Sequence, residues 1–356
     1  MSKIVGIDYM PGPTRLCSSF FEFCEEPTLF LPFPKARIGV GDKFLHALRV
    51  MVNLPRLLIK YDTFIFISPP FFHFLCIPIL RTFKKRVLTI SVDAYTEIVM
   101  ERLWQGPRWR KILRKLFYPL YVISETLSVK LSHAVFCVSV YLFTKYQKIN
   151  RNVFYTPNGA DVMLISKIKP KRIGKDYIFY MGGFLKWRGI DLLIKAFERV
   201  RKTHDVKLLL AGGLEEELKY YPELRSLKWK DVHYLGSLPH EEAISYLKGA
   251  KVAVLPSRNT IFSRTISSIK VFEYIAAEIP QVCTESGEHA DWVRKLNVGI
   301  VVKDTAEDIA RGITELLENK KLYNLLKENC RKRKKEIDYR VFRKPWIKYL
   351  EKLEKK

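Results

Sequence analysis

The residues best suited to bind an anion lie in one glycine-rich turn in the second half of the chain. Residues 180–191 read YMGGFLKWRGID and connect a predicted strand to a predicted helix. Gly182 and Gly183 allow the backbone to approach a ligand closely, as phosphate-binding loops require. Lys186 and Arg188 add positive charge at the helix entrance, where free N–H groups already favour an anion. A tight turn with two solvated charges would show the same pattern. One glycine-rich turn alone is therefore only a weak indicator of an anion-binding site.

A second candidate group lies on a predicted helix further along the chain. Lys270 and Glu273 are three positions apart, so both can lie on one face of that helix. The Glu273 carboxylate can accept hydrogen bonds from two ribose hydroxyls, and Ser267 and Ser268 precede the helix. The spacing is also typical of an intrahelical salt bridge on a surface. Asn158 lies in an Asn-Gly turn at another strand end, which is ordinarily only a loop.

These segments and several others occur in an order that resembles a known family. From about residue 132 onward the sequence is similar to the retaining nucleotide-sugar glycosyltransferases of family 4, which have the two-domain GT-B fold. Seven segments carry the resemblance: 134–139 (AVFCVS), 157–161 (PNGAD), 182–196 (GGFLKWRGIDLLIKA), 208–213 (LLLAGG), 235–242 (LGSLPHEE), 250–257 (AKVAVLPS) and 270–277 (KVFEYIAA). Each segment is degenerate, but seven in order at the family spacing are specific.

The resemblance implies roles for the residues of the second half. In the family, a basic pair after the first strand of the C-terminal domain binds the donor phosphates. Arg188 matches one of these cations, whereas Gly183 occupies the position of the other, and we expect Lys186 to substitute for it. Two family glutamates are separated by seven residues, and Glu273 matches the second, which binds the ribose. Thr265 replaces the first, which lies near the transferred sugar, so we expect the loop 258–268 to supply that contact.

The N-terminal half resembles the family only weakly, as expected if it binds a family-specific acceptor. Gly12 lies where family members keep a glycine-rich loop that faces the diphosphate. Asp93 corresponds to the acidic end of a His-Asp-like segment whose histidine is absent here. We expect Asp93 to be a polar group at the reaction centre, although capping of the next helix explains it equally well.

The resemblance also implies a reaction, which is sugar transfer with retention at the anomeric carbon. Negative charge builds on the departing diphosphate, and preorganised cations can stabilise it. Lys186, Arg188 and the helix N-terminus after Ser268 suit this role. The sequence contains no Asp-x-Asp motif, so we expect neither a metal ion nor a cofactor to be required.

The charge balance favours anionic partners. Lys and Arg number 62 against 37 Asp and Glu, a formal net charge of +25. Nucleic acid, a nucleotide phosphate and an anionic membrane all satisfy this preference. A nucleic-acid-binding protein is a rival hypothesis, but the charge is scattered and no known nucleic-acid-binding motif is present. A non-catalytic GT-B partner subunit is a second rival, which the missing first glutamate supports.

One basic segment points to a membrane. Residues 102–115 contain six Arg and Lys and no acid, interleaved with Trp104 and Trp109. Apolar residues at helical spacing follow as far as Phe117, a pattern that fits an anionic membrane interface. An ordinary helix that packs its apolar stripe in the core is the alternative. We predict a cytoplasmic protein attached peripherally to the inner face of the cell membrane, acting on a lipid-linked or surface glycan.

Other features agree with this location. The six cysteines form no C-x-x-C pair, as expected for reduced thiols in a cytosolic protein. The N-terminus lacks the basic start and long apolar core of a signal peptide. Residues 63–80 carry no charge, but prolines at 69, 70 and 78 interrupt them, so we expect a strand and a helix rather than a membrane span.

Alternating short apolar and longer amphipathic runs predict βαβ units that position these residues. Predicted strands lie at 3–7, 63–67, 86–91, 134–138, 153–156, 177–181, 207–211, 232–235, 252–255, 281–284 and 299–301. The predicted architecture is α/β of the GT-B type, with two Rossmann-like domains whose parallel sheets face each other across a cleft. The predicted domains are an acceptor-binding domain at 1–165 and a nucleotide-sugar-binding domain at 166–335. An amphipathic helix at 336–356 is predicted to return toward the first domain. The seam between the two domains is expected near 161–175, where residues 167–175 form a polar linker.

Overall fold

The chain forms two compact units. One comprises Met1–Pro157 together with Phe342–Lys356, and the other comprises Asn158–Val341. The structure, a computed structural model, describes residues 4–7, 20, 40–67, 73–103, 108–213, 217–218, 221 and 231–354. The sequence-based domain boundaries stay a prediction about where independently folding parts begin and end.

Each unit is built on a parallel sheet. The strands are β1 (Ile4–Ile7), β2 (Thr63–Ile67), β3 (Arg86–Ser91), β4 (Ala134–Cys137), β5 (Val153–Tyr155), β6 (Tyr177–Met181), β7 (Lys207–Ala211), β8 (Val232–Gly236), β9 (Val252–Leu255), β10 (Gln281–Thr284) and β11 (Gly299–Val302). The sheet of the first unit has the order β1-β2-β3-β4-β5, and the sheet of the second has the order β11-β10-β9-β6-β7-β8. Every strand that was predicted from an apolar run is therefore confirmed.

The helices connect these strands and cover the sheets. They are α1 (Val40–Lys60), α2 (His73–Thr82), α3 (Tyr95–Arg102), α4 (Arg108–Leu131), α5 (Val140–Gln147), α6 (Val162–Lys167), α7 (Ile190–Val200), α8 (His240–Gly249), α9 (Ile261–Thr265), α10 (Ile269–Ala276), α11 (Glu288–Leu296), α12 (Ala306–Glu318), α13 (Lys320–Arg333), α14 (Tyr339–Phe342) and α15 (Lys344–Glu354). Among the described residues, no helix has the length and continuous apolar character needed to span a bilayer.

The C-terminal helix α15 packs on the sheet of the first unit, as predicted. Trp346 is fully buried. Its ring meets Phe136 of β4 edge-on, with the centroids 4.7 Å apart, and Phe20 at 5.4 Å. Buried aromatic pairs in this geometry contribute stability beyond the area that they bury. The last residues of the chain are therefore part of the core of the N-terminal unit.

The predicted seam between the domains begins with a short helix. Helix α6 begins directly after Asp161 and ends at Lys167, where the predicted polar linker begins. The Asp161 carboxylate accepts a hydrogen bond from the Leu164 N–H at 3.0 Å and so caps the helix. Val162 and Ile165 are buried, which fixes the helix to the second unit. Residues 168–175 contain no helix or strand, in agreement with the predicted polar linker.

The parallel sheet of the second unit brings three loops to one edge. β6 ends at Met181, β9 at Leu255 and β10 at Thr284, and β9 is hydrogen-bonded to both of the other strands. The carboxyl ends of parallel strands lie along the same edge, where ligands of open α/β sheets bind. The glycine-rich turn, the loop before α10 and the start of α11 therefore lie close together.

Candidate functional site

The glycine-rich turn after β6 packs against helix α10. Gly182 has φ +144°, and any side chain at this position would collide with the side chain of Lys270. Gly189 has φ +66° and lies against the carbonyl oxygen of Pro256. These two positions need glycine both for their backbone angles and for space. They hold the Lys186–Arg188 3₁₀ turn between them.

Arg188 is fixed by aromatic contacts within this turn. Its guanidinium lies over the Trp187 ring, 3.8 Å from the centroid. The Trp187 ring in turn meets Phe262 of α9 edge-on at 5.0 Å, and the Trp187 carbonyl accepts a hydrogen bond from the Arg258 N–H at 2.8 Å. Lys186, by contrast, is exposed. The structure thus positions Arg188 firmly, whereas Lys186 lies at the surface.

Lys270 lies in an electrostatically unfavourable position. Burial, together with the positive charge of Arg188, lowers the pKa of Lys270 to about 7, although Glu273 opposes the shift. Burial and Arg188 also lower the pKa of His289, at the start of α11, to about 3. Three basic side chains therefore influence one another at the carboxyl edge of the sheet. An anion bound among them would favour the charged form of Lys270.

Two serines at the start of α10 add polar atoms to this cluster. The hydroxyls of Ser267 and Ser268 are buried and have no hydrogen-bond partner among the residues that the structure describes. Asn158 is also buried, and its side-chain N–H donates to the Ser267 carbonyl at 2.6 Å. Buried polar atoms are normally hydrogen-bonded. The structure thus brings five predicted site elements together: Asn158, Ser267, Ser268, Lys270 and the glycine-rich turn.

Glu273 has a hydrogen-bond partner that the sequence did not reveal. Its carboxylate is buried, and Oε1 lies 2.5 Å from Nε2 of His240 at the start of α8. The salt bridge to Lys270 that helical spacing allows does not form among the described residues; His240 is the partner instead. A carboxylate has about four lone-pair sites, so Glu273 retains capacity for a ligand while His240 fixes its orientation.

Gly183, which occupies the position of the second family cation, has an acidic neighbour. Gly183 lies beside Glu217, whose Oε2 accepts a hydrogen bond from the Phe184 N–H at 2.7 Å. An acidic side chain therefore caps the turn where the resemblance implied an arginine. The contact joins residues far apart in sequence, so local spacing gave no sign of it.

The two site residues expected in the N-terminal half have different outcomes. Gly12 lies outside the described residues. Asp93 follows β3 in the first unit and is half-buried. Helix α3 begins at Tyr95 with Ala94 as its N-cap and no side-chain cap hydrogen bond. Both expectations for Asp93, capping of this helix and a role at the reaction centre, stay predictions.

The sequence of the second unit matches a known family of domains. Residues 163–333 match the Glycosyl transferases group 1 model. An uncharacterized glycosyltransferase of Methanocaldococcus jannaschii is 26% identical over 168 residues, which cover 46% of this chain and 42% of that protein. O-antigen chain mannosyltransferase C of Escherichia coli is 24% identical over 169 residues, covering 46% and 43%. The aligned region thus spans less than half the length of these two curated relatives.

The fold extends the likeness to both units. The structure of HepE from Anabaena, solved in complex with UDP-glucose, matches with a TM-score of 0.73 at 12% identity, covering 99% of this chain and 100% of that one. The predicted fold class, GT-B with two Rossmann-like parallel-sheet domains, is therefore confirmed. The residues that match the Glycosyl transferases group 1 model, 163–333, lie within the second unit of this fold.

The glycines of the turn provide a matched test of this geometry. Gly189→Ala places a Cβ in the left-handed region and against the Pro256 carbonyl, so we expect the free energy of unfolding to fall by at least about 1–2 kcal/mol. In Gly183→Ala the added Cβ makes only ordinary contacts with Glu217, so the free energy of unfolding should change far less. Urea denaturation of the full chain measures both values. Equal stabilities for the two variants would show that the turn does not have this conformation.

Proposed function

We propose that this protein transfers a sugar from a nucleotide-sugar donor to an acceptor hydroxyl, and that the donor binds in the second unit. The observation that carries the proposal is the enclosed ammonium of Lys270. It lies against Gly182, beside Arg188, and has no hydrogen-bond or salt-bridge partner among the described residues. A diphosphate supplies the negative charge that this cluster needs.

The neighbouring groups fit the remainder of such a donor. The Ser267 and Ser268 hydroxyls and the N-terminus of α10 can donate hydrogen bonds to phosphate oxygens. Glu273, held by His240, can accept hydrogen bonds from the ribose hydroxyls. The UDP-glucose complex of HepE and the mannosyltransferase of Escherichia coli support a nucleotide-sugar as the ligand.

The proposed reaction uses these groups to stabilise the leaving diphosphate. The acceptor oxygen bonds to the anomeric carbon as the bond from that carbon to the diphosphate oxygen breaks. The hydroxyl proton passes to the departing nucleoside diphosphate, whose charge Arg188 and Lys270 stabilise. By resemblance we propose retention at the anomeric carbon, no metal requirement, and Asp93 as a polar group beside the acceptor.

Donor binding is directly measurable. Thermal shift with UDP-glucose, GDP-mannose and other nucleotide-sugars should identify a ligand that raises the stability of the wild type. Arg188→Ala and Glu273→Gln should each weaken binding of that ligand by about tenfold or more, since each removes a charged contact. Lys195→Ala, which removes an exposed cation of α7, should not.

The outcomes separate the hypotheses. If no nucleotide-sugar raises the melting temperature of the wild type, the proposed donor site is wrong. The same conclusion follows if both site variants keep the full thermal shift. A chain that binds a donor but never cleaves it, with or without membrane lipids, would instead be the non-catalytic GT-B partner.

Helix α4 supports a membrane-attached enzyme. Most apolar side chains in its first turns do not pack in the core: Trp109 and Ile112 are each 58% exposed and Leu116 is 68% exposed. The side chains that α4 buries include the polar residues Ser124, Glu125 and Ser128. A helix of a globular domain normally shows the opposite arrangement. We propose that the exposed apolar and basic residues of α4 bind an anionic membrane surface on the cytoplasmic side, where a lipid-linked or surface glycan is the acceptor.

Vesicle binding tests this attachment. The purified chain should sediment with phosphatidylglycerol-containing vesicles at low salt and less at high salt. Leu116→Ser should weaken binding by about tenfold, because a leucine side chain no longer enters the apolar layer. Leu325→Ser, which removes an exposed leucine of the second unit, is the matched control. Failure of the wild type to sediment, or equal effects of the two variants, would contradict the proposal.

A further inference from the structure

A buried polar layer lies between β3 and α4 in the first unit. Most of the sheet packs through aliphatic and aromatic side chains, but here polar side chains face one another. The layer includes Thr89, Ser91, Thr96, Glu97, Glu125, Ser128, Ser132, Lys145 and Tyr146. Burying so many polar atoms requires that they be paired. The pairing of each atom therefore shows which of them remain available to a ligand.

Lys145 is saturated within this layer. Its ammonium donates to Thr96 Oγ1 at 2.7 Å, to Glu97 Oε1 at 2.9 Å and to Glu125 Oε1 at 2.8 Å. Burial lowers the pKa of Lys145, but the two carboxylates outweigh this effect and raise it. Tyr146 also donates to Glu125 Oε1, at 2.5 Å. One oxygen of Glu125 thus serves two donors, and Lys145 has no proton left for a ligand.

The second oxygen of Glu125 remains unused. Glu125 Oε2 and Ser128 Oγ have no hydrogen-bond partner among the described residues, although the two residues are only 6% and 1% exposed. Both residues line a cavity of about 10 Å³. Such a volume accommodates one water-sized group. The site is therefore built around two buried polar atoms that lack partners.

The cavity opens toward the residue that resemblance places at the reaction centre. Its other walls are Thr89, Ser91, Asp93, Tyr95, Val129 and Tyr146. Asp93 and Tyr95 are half-exposed, whereas the remaining lining residues are buried. Asp93 and Tyr95 are thus the lining residues that contact solvent.

The chemistry of the walls selects a hydroxyl. A carboxylate oxygen only accepts hydrogen bonds, whereas a serine hydroxyl both donates and accepts. A hydroxyl group can donate to Glu125 Oε2 and accept from Ser128 Oγ at the same time. The carboxylates of Asp93, Glu97 and Glu125 outnumber the single cation Lys145, so an anionic group would be repelled.

We infer that this cavity binds one hydroxyl of a sugar acceptor, with Asp93 at its mouth. The inference rests on the proposed function, since it assigns part of the acceptor site. Seating one hydroxyl at Glu125 and Ser128 holds the sugar ring beside Asp93. An acceptor that lacks this hydroxyl would leave both buried atoms unpaired, which is how polar sites discriminate strongly between substrates.

The experiment measures binding of simple glycosides to the full chain. Methyl α-D-mannopyranoside, methyl α-D-glucopyranoside and methyl α-D-galactopyranoside are titrated by NMR, and these probes avoid the apolar surface of α4. Ser128→Ala should weaken binding of the glycoside that the wild type recognises by about tenfold. Glu125→Gln should weaken it by at least as much. Ser132→Ala is the matched control, because the Ser132 hydroxyl already bonds to Thr89 and does not line the cavity.

The results distinguish this inference from the proposed function. Weaker glycoside binding by Ser128→Ala, with no effect of Ser132→Ala, supports binding of a sugar hydroxyl in this cavity. Equal effects of the two serine variants, no effect of Ser128→Ala, or no binding of any glycoside by the wild type would overturn it. The thermal shift with a nucleotide-sugar is measured on the same samples and should be unchanged in all three variants. Absence of a thermal shift in the wild type would count against the proposed donor site rather than against the cavity at Glu125 and Ser128.

Discussion

The ammonium of Lys270 is enclosed between the Gly182 backbone and the start of α10, where burial and Arg188 both disfavour its positive charge. Desolvation of this kind is costly unless a partner compensates for it. Glu273 lies one turn further along the helix, but it is paired with His240 rather than with Lys270. The free protein therefore contains an electrostatic conflict that a bound anion would remove.

Much of the second unit serves to maintain this arrangement. Gly182 leaves space for the lysine, and Gly189 turns the chain so that Arg188 stacks on Trp187. The parallel sheet places the ends of β6, β9 and β10 side by side. Together they concentrate positive charge and free hydroxyls at one edge, which is the arrangement that phosphate recognition requires.

The sequence predicted the strands well and singled out the glycine-rich turn that packs against α10, for local reasons. Buried parallel strands are short apolar runs, and the turn that contains Gly182 and Arg188 has its own glycine and charge pattern. What the sequence did not reveal depends on contacts between distant segments. The His240–Glu273 pair joins α8 to α10, and Glu125 meets Lys145 only through tertiary packing. Periodicity likewise left open whether the apolar side of α4 is buried or exposed, because the surrounding elements decide that.

The two units are suited to different ligands. The second unit has several basic side chains at its candidate site, whereas the polar layer of the first unit has more carboxylates than cations. A phosphate-containing donor and a neutral hydroxylated acceptor match these two environments respectively. The division follows from side-chain chemistry in each unit taken separately.

The most direct test of the central claim is the number of protons taken up when UDP-glucose binds. The diphosphate diester of this ligand does not titrate near neutrality, whereas Lys270, with a pKa of about 7, is mostly neutral at pH 8. Titration calorimetry at pH 8 in buffers of different ionisation enthalpy should show uptake of most of a proton by the wild type and none by Lys270→Met. Binding without proton uptake, or equal uptake by the variant, would contradict the account.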